Sequence, residues 1–183
     1  MNVPHTKLLR LIAVAMLALV GLLAGGCGGE EEGLDVVEGE PIEVGELEYN
    51  VLFTRYLNPG DVEDAEYLQG QPPLPPNTQY LGVFLQVENL DEDRSGLLPA
   101  HFTIIDTDEN VYDAIPSESS YALELGTEID PGGEVPEADS TAEVGPIEGS
   151  LILFRISDET AEKRPLKLIV PGLDGPAQIE LDI

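Results

Sequence analysis

The stretch GSLILFRI, residues 149–156, is apolar on both faces of an extended chain. A strand built from it has no side to give to water, as in the centre of a sheet. A second stretch, YLGVFLQVEN (80–89), puts Leu81, Val83, Leu85 and Val87 on one face, and Phe84 adds a contact on the other. Outward from this pair the pattern is period two, the mark of strands with one buried face. In ELEYNVLF (46–53), Leu47, Tyr49, Val51 and Phe53 alternate with Glu46, Glu48, Asn50 and Leu52. HFTIIDTDENVYDAI (101–115) reads as two strands around a turn at 107–110. PLKLIV (165–170) follows a short polar link, and AQIELDI (177–183) sets Ile179, Leu181 and Ile183 opposite Gln178, Glu180 and Asp182. Beyond the first residues no segment keeps a helical period, and only short helical turns are expected, near 117–125 and 157–164. No internal repeat of ~20–50 residues is present. The expectation is an all-β antiparallel sandwich of about seven strands over residues 46–183.

Two long connections interrupt the strands, 58–79 and 126–149. Both are acidic and carry proline and glycine. Long connections in small domains are often functional or disordered. The loops at one end of the sandwich are therefore the expected binding region, with Tyr67 and Tyr121 as candidate contact aromatics, or else as buried side chains.

The N-terminal residues point to an address. MNVPHTKLLR carries Lys7 and Arg10 and no acid, and LIAVAMLALVGLLA (11–24) is uniformly apolar. The apolar run is shorter than the ~20 residues that span a bilayer, and a basic start before it fits an export signal. Gly25, Gly26 and Cys27 follow, and Cys27 is the only cysteine in the chain. The arrangement resembles the lipobox of bacterial lipoproteins: an aliphatic residue, two small residues and a cysteine. It departs from the pattern at Ala24, where leucine is usual. The resemblance implies cleavage before Cys27 and acylation of its thiol. Residues 1–26 are then a signal peptide, 27–45 a lipidated cysteine with an acidic flexible tether, and 46–183 the domain. The expected location is the extracytoplasmic face of the cell membrane. The alternatives are an uncleaved membrane helix and a freely secreted chain.

Charge narrows the partners. The chain carries 36 acidic and 8 basic residues, a formal net charge of -28. A nucleic-acid partner is excluded, since phosphate neutralisation needs a basic face. The same charge favours a soluble monomer through self-repulsion. The expected partners are the lipid bilayer through Cys27 and an unidentified envelope protein or small ligand.

The order of motifs resembles the telokin-like, immunoglobulin-like domain of unknown function found in many bacterial lipoproteins. A mycobacterial immunoprotective extracellular antigen has a related fold. The resemblance rests on a V-x-N strand ending (Val87, Glu88, Asn89), a turn with Asp106, Asp108 and Tyr112, and a Gly-x-x-x-x-F strand from Gly149 to Phe154. It implies an immunoglobulin-like antiparallel sandwich, export and membrane anchoring, and it brings no catalytic residues.

The search for chemistry is short. Beyond residue 27 the chain has one histidine, His101, and no methionine, so soft-metal ligands are scarce. His101 sits at a strand start and belongs to no triad pattern. Carboxylates are so numerous that no pair stands out as a glycosidase-like acid and base. A hydrolase is the least favoured reading, and no catalytic residue is assigned. Asp106, Asp108 and Asn110 imitate the start of a calcium loop. The imitation fails at Val111, where a glycine belongs, and at Ser117, where a bidentate glutamate belongs. A calcium-dependent adhesion or stability module is the alternative to a binding module. The runs LDEDR (90–94) and GDVEDAE (60–66) offer further oxygens. PPLPP (72–76) is expected to stiffen its loop as polyproline II.

Overall fold

The computed structural model describes residues 35–173 and 175–183. Cys27 and the expected signal peptide, residues 1–26, lie outside the described residues. Those residues form β1 (Asp35–Val37), β2 (Ile42–Val44), β3 (Leu47–Leu57), β4 (Thr78–Asn89), β5 (Gly96–Leu97), β6 (Thr103–Ile105) and β7 (Val111–Ile115). There follow β8 (Glu128–Ile129), β9 (Glu134–Val135), α1 (Thr141–Val144), β10 (Ser150–Ser157), α2 (Asp158–Ala161), β11 (Lys167–Val170) and β12 (Ala177–Glu180). Among the described residues the strands number twelve, ten of them within 46–183 where about seven were expected, because several are only two or three residues long. The expected helical turn near 157–164 is α2, capped by the Ser157 hydroxyl, which accepts from Thr160 N. Residues 117–125 form a turn and an isolated bridge instead.

The main sheet has the order β1-β12-β11-β6-β7-β10-β4-β3-β2, with β9 also pairing β4, while β5 and β8 form a separate ladder. Its two halves face each other across one core, and β7 belongs to both. Val111–Asp113 pair with β6, while Ala114 and Ile115 pair with Phe154 and Leu153 of β10. The result is a barrel-like sandwich. Its ladders are antiparallel except β1 on β12, which is parallel.

The ends of this order, β1 and β2, are consecutive in the chain, and the short turn between them closes the seam. Glu38 N donates to Glu180 O at 2.8 Å, and Gly39 N donates to Val51 O at 2.8 Å. The Glu38 carboxylate accepts from Thr54 N of β3 and from Asp182 N just past β12, each at 3.1 Å. One side chain thus ties both halves together. This corrects the expected boundary at residue 46. Residues 35–44 belong to the sheet, because their few apolar side chains, Val36, Ile42 and Val44, pack on the core.

Alternation becomes burial in the central strands. Leu81, Val83, Leu85 and Val87 of β4 and Ile152, Phe154 and Ile156 of β10 face the sandwich interior. Tyr80 and Phe84 of β4 and Leu151 and Leu153 of β10 point the other way, into a second apolar cluster. The two-faced reading of 149–156 therefore holds. The second layer is made by the two long connections, with Tyr67, Leu68 and Ala142, together with Tyr121 from the segment that follows β7, all laid over the outer face.

One strand departs from strict alternation. Leu47, Tyr49 and Val51 are buried as expected, but Phe53 is 46% exposed. A bulge between Val51 and Phe53 inserts one residue against β4 and reverses the facing of all that follows. Thr54 takes the inner position in place of Phe53.

Candidate functional site

The calcium candidates form a closed turn. The Asp106 carboxylate is buried and accepts from Asp108 N at 2.9 Å and Asn110 N at 3.0 Å. It accepts also from Asn110 Nδ2 and from the Tyr112 hydroxyl at 3.1 Å. The Thr160 hydroxyl donates to Tyr112 at 2.8 Å, and Ser157 lies 2.8 Å from Thr160. A chain of hydroxyls therefore runs from the cap of α2 to the hairpin turn, and such chains reinforce one another. Burial works to raise the Asp106 pKa, but the Asn110, Asp108 and Tyr112 donors outweigh it and hold it below the usual carboxylate value. Asp108 instead pairs with Lys163 at 3.0 Å, which also reaches Glu159 at 3.1 Å. The Asp108 and Glu159 hydrogen bonds push the lysine pKa up. Val111 already belongs to β7 and Ser117 lies beyond that strand, so the chain does not wrap into a calcium loop. Among the described residues no group of three or more His, Cys, Asp or Glu side chains is placed to hold a metal ion.

The other motifs of the resemblance are also structural. Asn89 is fully buried, and its Nδ2 donates to Arg94 O at 2.8 Å and Asp130 O at 3.0 Å. It pins the 90–95 loop to β8. Gly149 has φ +113°, and a Cβ there would stand 3.0 Å from Leu85 N and 3.2 Å from the Phe84 carbonyl carbon. Only glycine meets both demands.

The long connections are packed rather than free. Asp64, among the oxygens of 60–66, is 1% exposed, pairs with Arg55 and accepts from Asn58 N at 2.7 Å. Tyr67 is buried between Phe84, ring centroids 5.2 Å apart, and Tyr121 at 4.6 Å. Tyr121 donates to Glu66 at 3.1 Å; burial first, then that carboxylate, raises its pKa. Gln71 Nε2 donates to Pro116 O at 2.7 Å, stitching this connection to the segment that follows β7. Tyr80 holds the proline run by donating to Pro72 O at 2.6 Å. Both candidate contact aromatics are thus interior side chains, with no surface to offer a ligand.

What remains open is a cleft of about 640 Å³ beside β7 and β10. Ile115, Ala122 and Leu125 give it accessible apolar surface, while Leu123, Leu151 and Leu153 behind them are buried. Its rim carries exposed His101, Glu118, Ser120 and Glu124, and no lysine or arginine lines it. Local chain pairing makes the cleft. β7 pairs with β10 as far as Ile115 opposite Leu153, and the chain returns to β10 at Ala122 opposite Leu151. Residues 116–121 bow outward between those points. His101 is thus brought to a concavity, whereas Asp106, Asp108 and Asn110 lie at a separate turn. The cleft residues were not singled out from sequence. The usable signal was the apolar segment 121–125 beside a strand apolar on both faces.

A second cleft of about 570 Å³ is lined by Glu88, Glu128, Asp130, Glu134 and Glu137 around Gly132 and Gly133. It is acidic and without a large aromatic wall.

No family model matches the chain, and no curated protein matches it. Solved structures do. An uncharacterized β-sandwich protein from Clostridium difficile 630 aligns with a TM-score of 0.50 at 14% identity, covering 82% of this chain and 95% of that one. The fold is a β-sandwich. The yjhA protein from Bacillus subtilis aligns with a TM-score of 0.49 at 14% identity, covering 81% of this chain and 99% of its own. At 14% identity the likeness to the Clostridium difficile protein speaks for the fold alone. Among the described residues no helix is long and apolar enough to cross a membrane.

Proposed function

We propose that the chain is a lipid-anchored envelope protein whose sandwich, of the telokin-like, immunoglobulin-like kind, is a binding module and not an enzyme. Cys27 supplies the anchor, and a short acidic segment to residue 34 joins it to the sheet. The observation that carries the binding role is the cleft beside β7 and β10. Its lining mixes apolar Ile115, Ala122 and Leu125 with polar His101, Glu118, Ser120 and Glu124, and its volume falls in the range of ligand sites. The calcium alternative loses support because the Asp106 carboxylate is committed to hydrogen bonds within its own turn.

The first experiment is the intact mass of the protein extracted from its native membrane. A chain beginning at Cys27 with a diacylglycerol-sized addition supports the anchor. An unmodified cleaved chain, or a full-length one, refutes it. The binding role is tested apart from the anchor by placing a tryptophan at Ser120. If every partner found for the protein binds that variant as it binds the native chain, the cleft is not the site.

A further inference from the structure

We infer that the end of the sandwich where the chain enters from Cys27 is a docking surface for the bilayer, on which exposed leucines rest among zwitterionic headgroups. The inference rests on the anchor proposed above and adds how the domain sits on it. Strand directions define that end. β1 begins at Asp35, opposite Gln178 near the start of β12. The pairings bring to the same end the starts of β6 and β10, the ends of β4, β7 and β11, and the turn from β2 to β3. Every leucine that the described residues expose belongs to this end. Leu90 follows β4, and its N donates to Glu46 O in the β2–β3 turn at 2.9 Å. Leu173, fully exposed, stands between β11 and β12, and its neighbour Gly172 lies against Val44 on the other side of that turn. Leu97, 62% exposed, precedes β6, and its neighbour Gly96 lies against Leu47 at the start of β3. Leu125 sits in the turn that Gly126 N ties to Pro99 O at 3.1 Å. The large apolar side chains exposed elsewhere are Phe53 and five-carbon valines, of which Val111 marks the opposite end, at the start of β7.

The length of chain before β1 decides what stands opposite these leucines. The stretch from Cys27 to Asp35 spans at most about 29 Å, at ~3.6 Å per residue. At twelve residues, β4 alone runs about 40 Å from one end of the sheet to the other, at ~3.3 Å per residue. The leucine-bearing end therefore stays within reach of the bilayer in every orientation, and the Val111 end does not. Such a short link also holds the bilayer at a higher local concentration than any free partner. A bilayer interface takes up leucine side chains while the polar groups beside them stay wet. Charge selects the headgroup. Asp91 is paired with Arg94, but Glu92, Asp93, Glu124 and Glu128 stand exposed at the same end. Anionic lipid repels such a surface, so the surface is suited to zwitterionic lipid.

The test uses the only native cysteine. Once Cys27 is acylated the chain has no free thiol, so one introduced cysteine takes an environment-sensitive label alone. Leu97→Cys and Val111→Cys are matched probes, 62% and 61% exposed at opposite ends. Each is labelled in the full acylated chain, its mass checked, and placed in phosphatidylcholine vesicles that contain quencher-bearing lipid. The label at 97 is expected to shift blue and be quenched, and the label at 111 to do neither. Replacing phosphatidylcholine with phosphatidylglycerol should weaken quenching at 97, and salt should restore it. Leu173→Glu behind the label at 97 should lower the ratio of docked to free domains about tenfold, the scale of leaving one leucine side chain in water; Leu173→Ile should keep it. Equal signals at 97 and 111, or none at either, overturn the docking and leave the anchor, since the mass of the same sample shows the lipid. A sample without lipid overturns the anchor and the docking together. A blue shift at 97 that lipid does not quench, and that grows with the protein-to-lipid ratio, assigns the face to a second copy and overturns the inference.

Discussion

Truncating Tyr67 to alanine tests whether the long connection after β3 is part of the fold or an ornament on it. Tyr67 is 3% exposed and sits in a loop otherwise rich in acid, proline and glycine. Its ring meets Phe84 edge-on at 5.2 Å and Tyr121 at 4.6 Å. Emptying a buried aromatic site of this kind costs about 3–5 kcal/mol, since the lost transfer energy and the cavity add. Small domains have about 5–15 kcal/mol in total, so the variant still folds in buffer. The melting midpoint should fall by about 10 °C, at about 2–4 °C per kcal/mol for a chain of this size. Urea unfolding, followed by circular dichroism and by tyrosine fluorescence, gives the free energy directly. The control is Val62→Ala in the same loop, where the side chain is 88% exposed and truncation should change stability by less than about 0.5 kcal/mol. A second cycle with Tyr121→Ala should show a coupling of about 0.5–1.5 kcal/mol, because the two rings touch. If Tyr67→Ala loses under about 1 kcal/mol, or matches Val62→Ala, the connection is not a packed layer and the second core is refuted.

Three more perturbations address separate parts of the fold. Gly149→Ala forces a Cβ against the backbone of β4 at a positive φ; about 2–5 kcal/mol should be lost in urea unfolding, and a loss under 1 would contradict the tight crossing. Glu38→Ala strips the acceptor from Thr54 N and Asp182 N, at about 1–3 kcal/mol; amide exchange should quicken at those two residues and along β1, and unchanged protection there would mean the seam does not depend on Glu38. Asp106 has a pKa held below its unfolded value of about 3.9, so its stabilisation is complete above that value and disappears as the pH falls through the folded one. Asp106→Asn should therefore weaken the domain at pH 7 and flatten the loss of stability as the pH falls below about 4; an unchanged acid limb would remove the turn from the account.

The parts of this structure legible in the sequence are those decided by which atoms must leave water. In residues 149–156 every apolar side chain found a buried place, on one face or the other. That stretch also implied a covering layer for the second face, and so did Phe84. The covering comes chiefly from Tyr67 and Leu68 of the first long connection and from Tyr121 after β7, which face inward, while Val62 of that connection stays exposed. Composition hid this, because the surrounding acids and prolines dominate any average over the loop while three or four side chains do the packing. Phe53 failed for a different reason. Period two is a rule about pairing register, and one inserted residue at the bulge cancels it without any mark in the side-chain pattern. The start of the domain failed because Glu38 looks like any other glutamate in an acidic run, yet it accepts hydrogen bonds from both halves of the sandwich. The cleft is harder still. It arises where the chain leaves β10 after Ile115 and rejoins it at Ala122, and no residue there is unusual by itself. A site made by the divergence of strands has its signature in registers, and registers are set by the whole sheet. For this chain the sequence therefore speaks of the core, while the surface offered to a partner follows only once the core has fixed the backbone.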